Sequence, residues 1–190
     1  MATTQPIRNK QHIREMSEYY LHKGQIRNYV LIVMGLYTAL RISDLLSLTW
    51  DNVYDFENER LKTHIEIVEK KTGKPKLIAL NINVNDALTT HIHTAQRGAF
   101  LFENPRTGRA ISRIQAYRIT RAAAEALRFP ERVSCHSLRK TLGYHAWKSG
   151  VEVPVIMEIY NHSSLAATRR YLGVTQDYKD AVYLNLNLTA

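Results

Sequence analysis

The sequence predicts a mainly α domain that carries one small antiparallel β-sheet, an α+β fold. Apolar residues recur at helical spacing through most of the 190 residues. A single stretch, residues 61–80, alternates with a period of two instead. No repeat, low-complexity tract or long Pro/Gly/Ser linker divides the chain. With 45% apolar residues it is long enough for one good core and short for two. One domain is therefore expected over residues 9–190, behind a loose N-terminus at 1–8.

The elements follow in order. Residues 10–22 place Ile13, Met16, Tyr19 and Tyr20 at helical spacing and should end at Gly24. Residues 25–38, QIRNYVLIVMGLYT, are apolar nearly all round, which predicts a buried central helix. A short helix around 43–47 follows, with Ser43 as its N-cap. In the alternating stretch, HIEIVE and LIALN read as strands around the turn KKTGKPK. Residues 85–97 return to helix, and Pro105–Gly108 is a loop. Ser112 then caps a long helix to about Leu127. Further helices are expected near 137–149, 153–160, 164–172 and 175–184.

Charge narrows the function. The net is +9, and between Arg97 and Tyr171 thirteen Lys and Arg face five Asp and Glu. Nearly all of the excess therefore lies in one region, which suggests a polyanionic partner. No run of eighteen apolar residues occurs, so no membrane span is expected, and MATTQPIRNK lacks the apolar stretch of a signal peptide. Cys135 is the single cysteine, which fits a reducing, cytoplasmic setting.

Several side chains stand out chemically. In CHSLRK, residues 135–140, His136 and Arg139 lie three apart and so share a helix face. A guanidinium fork matches phosphate oxygens, and an imidazole beside it can move a proton. Arg41 ends a strongly apolar helix in TALRISDLL and needs an acidic partner, with Asp44 the nearest, or a ligand. In HSSLAATRRYLGV, residues 162–174, Tyr171 shares its helical stripe with Ser164, Ala167 and Thr168, whereas Leu172 shares the apolar face with Leu165. Tyr171 is thereby set off from the packing stripe.

The succession TALRISDLLSLTW, a KTG hairpin turn, HSLR, NHSS, and a tyrosine nine residues after that histidine resembles the catalytic domain of the tyrosine recombinase, or phage integrase, family over residues 10–185. The resemblance implies that Arg41 and Arg139 clamp the scissile phosphate and that Lys71 is the hairpin lysine, with Lys70 and Lys74 as neighbouring alternatives. It also implies that His136 and His162 are the two histidine positions and that Tyr171 is the nucleophile. The implied activity is site-specific cleavage and rejoining of double-stranded DNA through a 3′-phosphotyrosine, with no metal and no cofactor. The implied assembly is a homo-tetramer on DNA, possible helpers being DNA-bending or arm-domain proteins. Arg113, Arg118, Arg121, Lys140, Arg169 and Arg170 are further candidates for DNA contact.

There are departures from the family pattern. Asp44 stands where glutamate is commoner, YNH replaces the usual LGH before the second histidine, and Lys140 rather than histidine follows Arg139. Only some forty residues precede Arg41, so the chain resembles short, single-domain members without an N-terminal core-binding domain. Residues 174–190 are expected to pack in cis or to dock on a neighbouring protomer. Rival readings are a non-catalytic DNA-binding regulator, a type IB topoisomerase, and a metal-dependent nickase using His91 and His93. Helical geometry would hold the last pair about 200° apart, too far round to share a metal.

Overall fold

The computed structural model describes residues 4–172 and 183–187. It is mainly helical, and its antiparallel strands form three two-stranded ladders among the described residues rather than the one expected. The two extra ladders are pairs of two-residue strands, β1 (Tyr54–Asp55) with β2 (Arg60–Leu61) and β5 (Glu103–Asn104) with β6 (Arg109–Ala110). Strands that short carry no readable alternation.

α1 (Lys10–Glu18) is capped by the Asn9 side chain, which accepts from the Gln11 N–H, and ends a turn earlier than its apolar spacing suggests. α2 (Ile26–Tyr37) is the central helix, with every residue from Val30 to Leu36 buried. α3 (Ile42–Leu45) starts directly after Arg41, so Ser43 lies inside it and does not cap it. The chain reaches that start through Ala39, whose φ of 53° is unusual for a residue with a Cβ. This bend turns the Ala39 carbonyl toward the site described below.

After α4 (Trp50–Val53) comes the main hairpin, β3 (His64–Val68) paired with β4 (Pro75–Ala79). α5 (Ile82–His91) begins earlier than expected because Asn81, not a later residue, supplies the cap through its bond from the Val84 N–H. A 3-10 turn, Ile92–Thr94, follows it. Ser112 caps α6 (Arg113–Ala126) in a reciprocal pair with Gln115, as expected. Ser134 caps α7 (Cys135–Lys148); α8 (Val153–Tyr160) and α9 (Leu165–Leu172) complete the described helices of the main body. The expected helix at 175–184 and the proposed docking segment fall mostly outside the described residues, which take up again only at 183–187. Tyr183 and Leu184 are described, and both are exposed.

The core divides into three clusters. Two flank α2, one toward the hairpins and α5, the other toward α1, α6 and α7. The third is small, Ala39, Ile156, Tyr160 and Leu172, and lies directly beneath the residues singled out for chemistry. Burying Leu172 completely is worth about 2 kcal/mol, which fixes the rotational phase of α9. Tyr171, one residue back, is thereby turned to the rim of this cluster. No helix among the described residues is long and apolar enough to cross a membrane.

Candidate active site

Arg41, His136, Arg139, His162 and Tyr171 come from four separate segments and meet at one place. α7 supplies two of them. The Ser134 cap sets its first turn, which puts His136 at the rim and Arg139 one turn deeper, 2% exposed. Arg139 Nη1 donates to the Ala39 carbonyl and Nη2 donates to the Tyr160 carbonyl at 3.0 Å. Its third nitrogen, Nε, lies 3.1 Å from the Tyr171 hydroxyl oxygen, which accepts. That oxygen is also 3.4 Å from His136 Nδ1.

Three aromatic rings hold the tyrosine in place. His136, His162 and Tyr160 each meet the Tyr171 ring edge-on, with centroids 4.8, 5.0 and 4.9 Å away. His162 is oriented in turn by Thr168, whose hydroxyl lies 3.0 Å from Nδ1. Tyr160 is the floor: its hydroxyl donates to the Arg139 carbonyl at 2.7 Å and accepts from the Gly143 N–H at 2.8 Å. A Cβ at position 143 would collide with that hydroxyl and the ring carbons beside it, so only glycine admits the ring.

The partner of Arg41 is not Asp44. Arg41 Nη1 lies 2.8 Å from Glu69 Oε2, an ion pair whose N–H is not aimed along the contact. Asp44 is 1% exposed and is used differently, accepting the Lys70 N–H at 3.1 Å. The physical reason is register. Along β3 the residues facing the core are Ile65 and Ile67, and continuing that alternation brings Glu69 inward, fully buried. Lys76 takes the equivalent inward position on β4 with Ile78. Its Nζ donates to the Ile159 carbonyl at 2.6 Å and lies 3.9 Å from Glu69.

Lys71 does not join the cluster directly. It is exposed on the hairpin turn, near enough for its charge to bear on His162. The other basic candidates are dispersed. Arg113 and Arg118 are exposed on α6; Arg121 pairs with Glu125 on the same helix. Arg169 is exposed on α9, and Arg170 follows it. Lys140 is 4% exposed, with its Nζ donating to the Thr4 carbonyl and standing 5.3 Å from the Tyr171 ring centre. It therefore borders the tyrosine from inside. His91 is buried, packed on Trp50 with Nε2 at the Leu101 carbonyl, the placement of a core residue.

Electrostatics follow from this crowding of cations. Burial, with the positive charges of Lys140, Arg139 and Arg41, lowers the His136 pKa to about 4. Burial, then Arg139 and Arg41, lowers His162 to about 4 as well. Both imidazoles are therefore neutral at neutral pH, each with a lone pair on one ring nitrogen. Burial raises the Tyr171 phenol above its usual value, and the two arginines oppose that rise. Burial would raise Glu69 too, but Asn161, Arg41 and Thr72 outweigh it and hold the carboxyl below the ordinary range. Lys76 is lowered to about 8 by burial and by Arg139.

Glu69, Lys76, Tyr160, Asn161 and Thr168 were not legible as site residues in the motifs. For Glu69 and Lys76 a signal existed: each is a charge in the core-facing register of its strand.

The model of the phage integrase family matches residues 8–177. The chain is 38% identical over 183 residues to a probable integrase/recombinase, YoeC, of Bacillus subtilis, covering 96% of this chain and 97% of that one. It is 29% identical over 160 residues to the tyrosine recombinase XerD of Mycobacterium tuberculosis, where it spans about half of the relative, 49%. Among solved structures it resembles XerA recombinase, with a TM-score of 0.76 at 18% identity, over 97% of this chain and 66% of that one. It also resembles XerH bound to its difH substrate in a post-cleavage complex, with a TM-score of 0.74 at 18% identity, over 95% and 53%. The buried tyrosine-and-arginine cluster thus sits on a recombinase fold, and the chain belongs to the phage integrase family of tyrosine recombinases.

Proposed function

We propose that the chain is a site-specific DNA recombinase that cuts and rejoins strands through a covalent 3′-phosphotyrosine. The observation that carries this reading is the placement of the Tyr171 hydroxyl, 3.1 Å from Arg139 Nε and 3.4 Å from His136 Nδ1. A phenol with a pKa near 10 is a poor nucleophile in water. Here it meets a neutral imidazole that can take its proton and a guanidinium that can neutralise the phosphate it attacks. In the proposed step Tyr171 Oη bonds to phosphorus while the bond from phosphorus to the 5′-oxygen breaks. The phenolic proton passes to His136, and Lys71 gives a proton to the departing 5′-oxygen. Arg41, Arg139 and His162 stabilise charge on the non-bridging oxygens. A 5′-hydroxyl attacking the phosphotyrosine reverses the step, so bond energy is conserved and no ATP is needed.

DNA is the proposed partner. Crystal structures of relatives on this fold include XerH with difH and a lambda integrase dimer on a core site. The surplus of Lys and Arg between Arg97 and Tyr171 supports the same partner here, as does the exposed face of α6 bearing Arg113 and Arg118. A tetramer on DNA, with or without accessory proteins, remains part of the proposal.

The test is a duplex nicked beside the cleavage site, so that the cut strand diffuses away and the covalent adduct accumulates. Wild-type protein is expected to form an adduct that resists denaturant, with EDTA present and ATP absent, and Tyr171→Phe is expected to form none. A non-catalytic regulator would bind without an adduct. A topoisomerase would relax supercoils without exchanging strands between two sites.

A further inference from the structure

The proposed chemistry uses six side chains, yet the most enclosed charge at the site belongs to none of them. Glu69 is fully buried and lies where the hairpin enters its turn. Arg41 Nη1 is 2.8 Å from its Oε2; Arg139 Nη1 and Lys76 Nζ are 3.8 and 3.9 Å from its Oε1. Three cations this close repel one another strongly around a carboxylate that is itself fully buried. The Glu69 carboxylate, within 4 Å of all three, sets the spacing at which they can coexist.

The same carboxylate reaches further. Oε2 accepts from the Thr72 hydroxyl at 2.9 Å and from Asn161 Nδ2 at 3.0 Å. Thr72 is the residue after Lys71, and Asn161 is the residue before His162. Asn161 ends α8 in the left-handed region, at φ 53°, a conformation glycine adopts more easily. Asparagine adds an amide that reaches back to Glu69. Two further backbone bonds steady the turn: Glu69 N–H donates to the Lys74 carbonyl, and Gly73 N–H donates to the Glu69 carbonyl.

We propose that Glu69 is a positioning residue: one buried carboxylate sets the separation of Arg41 and Arg139 and ties to them both the turn that carries Lys71 and the loop that carries His162. An ordinary structural ion pair would join two segments. This one joins four, and each bears a residue of the proposed reaction. The role rests on the recombinase reading and is separable from it by experiment.

The experiment measures single-turnover adduct formation on the nicked duplex at saturating protein, together with DNA affinity and the thermal unfolding midpoint. Glu69→Gln keeps the shape and removes the charge. With the arginines no longer held in place, cleavage is expected to slow by about 100-fold, the effect of a misplacement near 1 Å. DNA affinity should be maintained or tightened, since a negative charge has left a cationic site. A wild-type cleavage rate in Glu69→Gln overturns the proposal. So does a parallel fall in rate, affinity and midpoint, which would make Glu69 a plain structural ion-pair member.

Should Glu69→Gln fail to fold, Asn161→Gly carries the test. Glycine suits that backbone conformation, and the substitution deletes only the tie between the His162 loop and Glu69. Slower cleavage with unchanged affinity supports the role, and a wild-type rate overturns it. If wild-type protein itself forms no adduct, the recombinase reading falls and this role with it.

Discussion

Arg139 shows how a residue proposed for the chemistry can belong to the fold as well. The motif alone suggests that Arg139→Ala would abolish cleavage and leave folding nearly intact. The structure argues otherwise, because the guanidinium is 2% exposed and satisfies the Ala39 and Tyr160 carbonyls. Its loss would strand those oxygens and remove a cation from beside Glu69. Arg139→Ala is therefore expected to cost about 3 kcal/mol or more, read from chemical denaturation, in addition to abolishing adduct formation. A variant that folds with wild-type stability would refute this placement. The two histidines yield a second expectation at this scale. Their folded pKa values of about 4 lie below the ~6.5 of a free imidazole. A depressed histidine favours the neutral form in the folded state, so its contribution to stability is constant above about pH 7. It is lost as pH falls from about 6.5 toward 4, because the unfolded chain binds protons first. NMR titration of the free protein should show His136 and His162 titrating well below the ~6.5 of a free imidazole. His162→Gln should flatten the fall of the unfolding midpoint between pH 7 and 5.

Among the elements, α7 and the β3–β4 hairpin decide whether the site forms. Gly143→Ala on α7 would drive a methyl into the buried Tyr160 ring, which has nowhere to move. Overpacking of this kind costs about 1–3 kcal/mol, and here it would also shift the floor under His162 and Tyr171. Loss of stability together with slower adduct formation is the expected result, and wild-type behaviour in both would show that α7 and α8 can separate freely. The elements were also the most legible part of the sequence. The apolar run of α2, the Ser112 cap of α6 and the alternation of β3 are local patterns, and each is found where its pattern lies. What escaped was tertiary. Arg41 had an acid three residues away, and proximity favoured it, yet the hairpin register delivered Glu69 from 28 residues away. Tyr160 and Asn161 stood out as departures from the family pattern, but their roles depend on Gly143 and Glu69, which no local spacing connects to them.

For the whole molecule, charge distribution bears on the proposed encounter with DNA. Exposed cations neutralise phosphates and release counterions, so affinity should fall steeply with salt. Arg113→Ala and Arg118→Ala are each expected to reduce the slope of log affinity against log salt by about one, without sequence preference. An unchanged slope in both would move the DNA-facing surface elsewhere. The cleavage geometry has a separate consequence, concerning the arithmetic of mixed assemblies. The Tyr171 hydroxyl rests against Arg139 and His136 of its own chain, so under the proposed mechanism each protomer carries a whole cutting unit. Blending wild-type protein with Tyr171→Phe should then yield adducts in simple proportion to the wild-type fraction. Blending Tyr171→Phe with Arg139→Lys should yield none, since neither chain can lend the other its missing half.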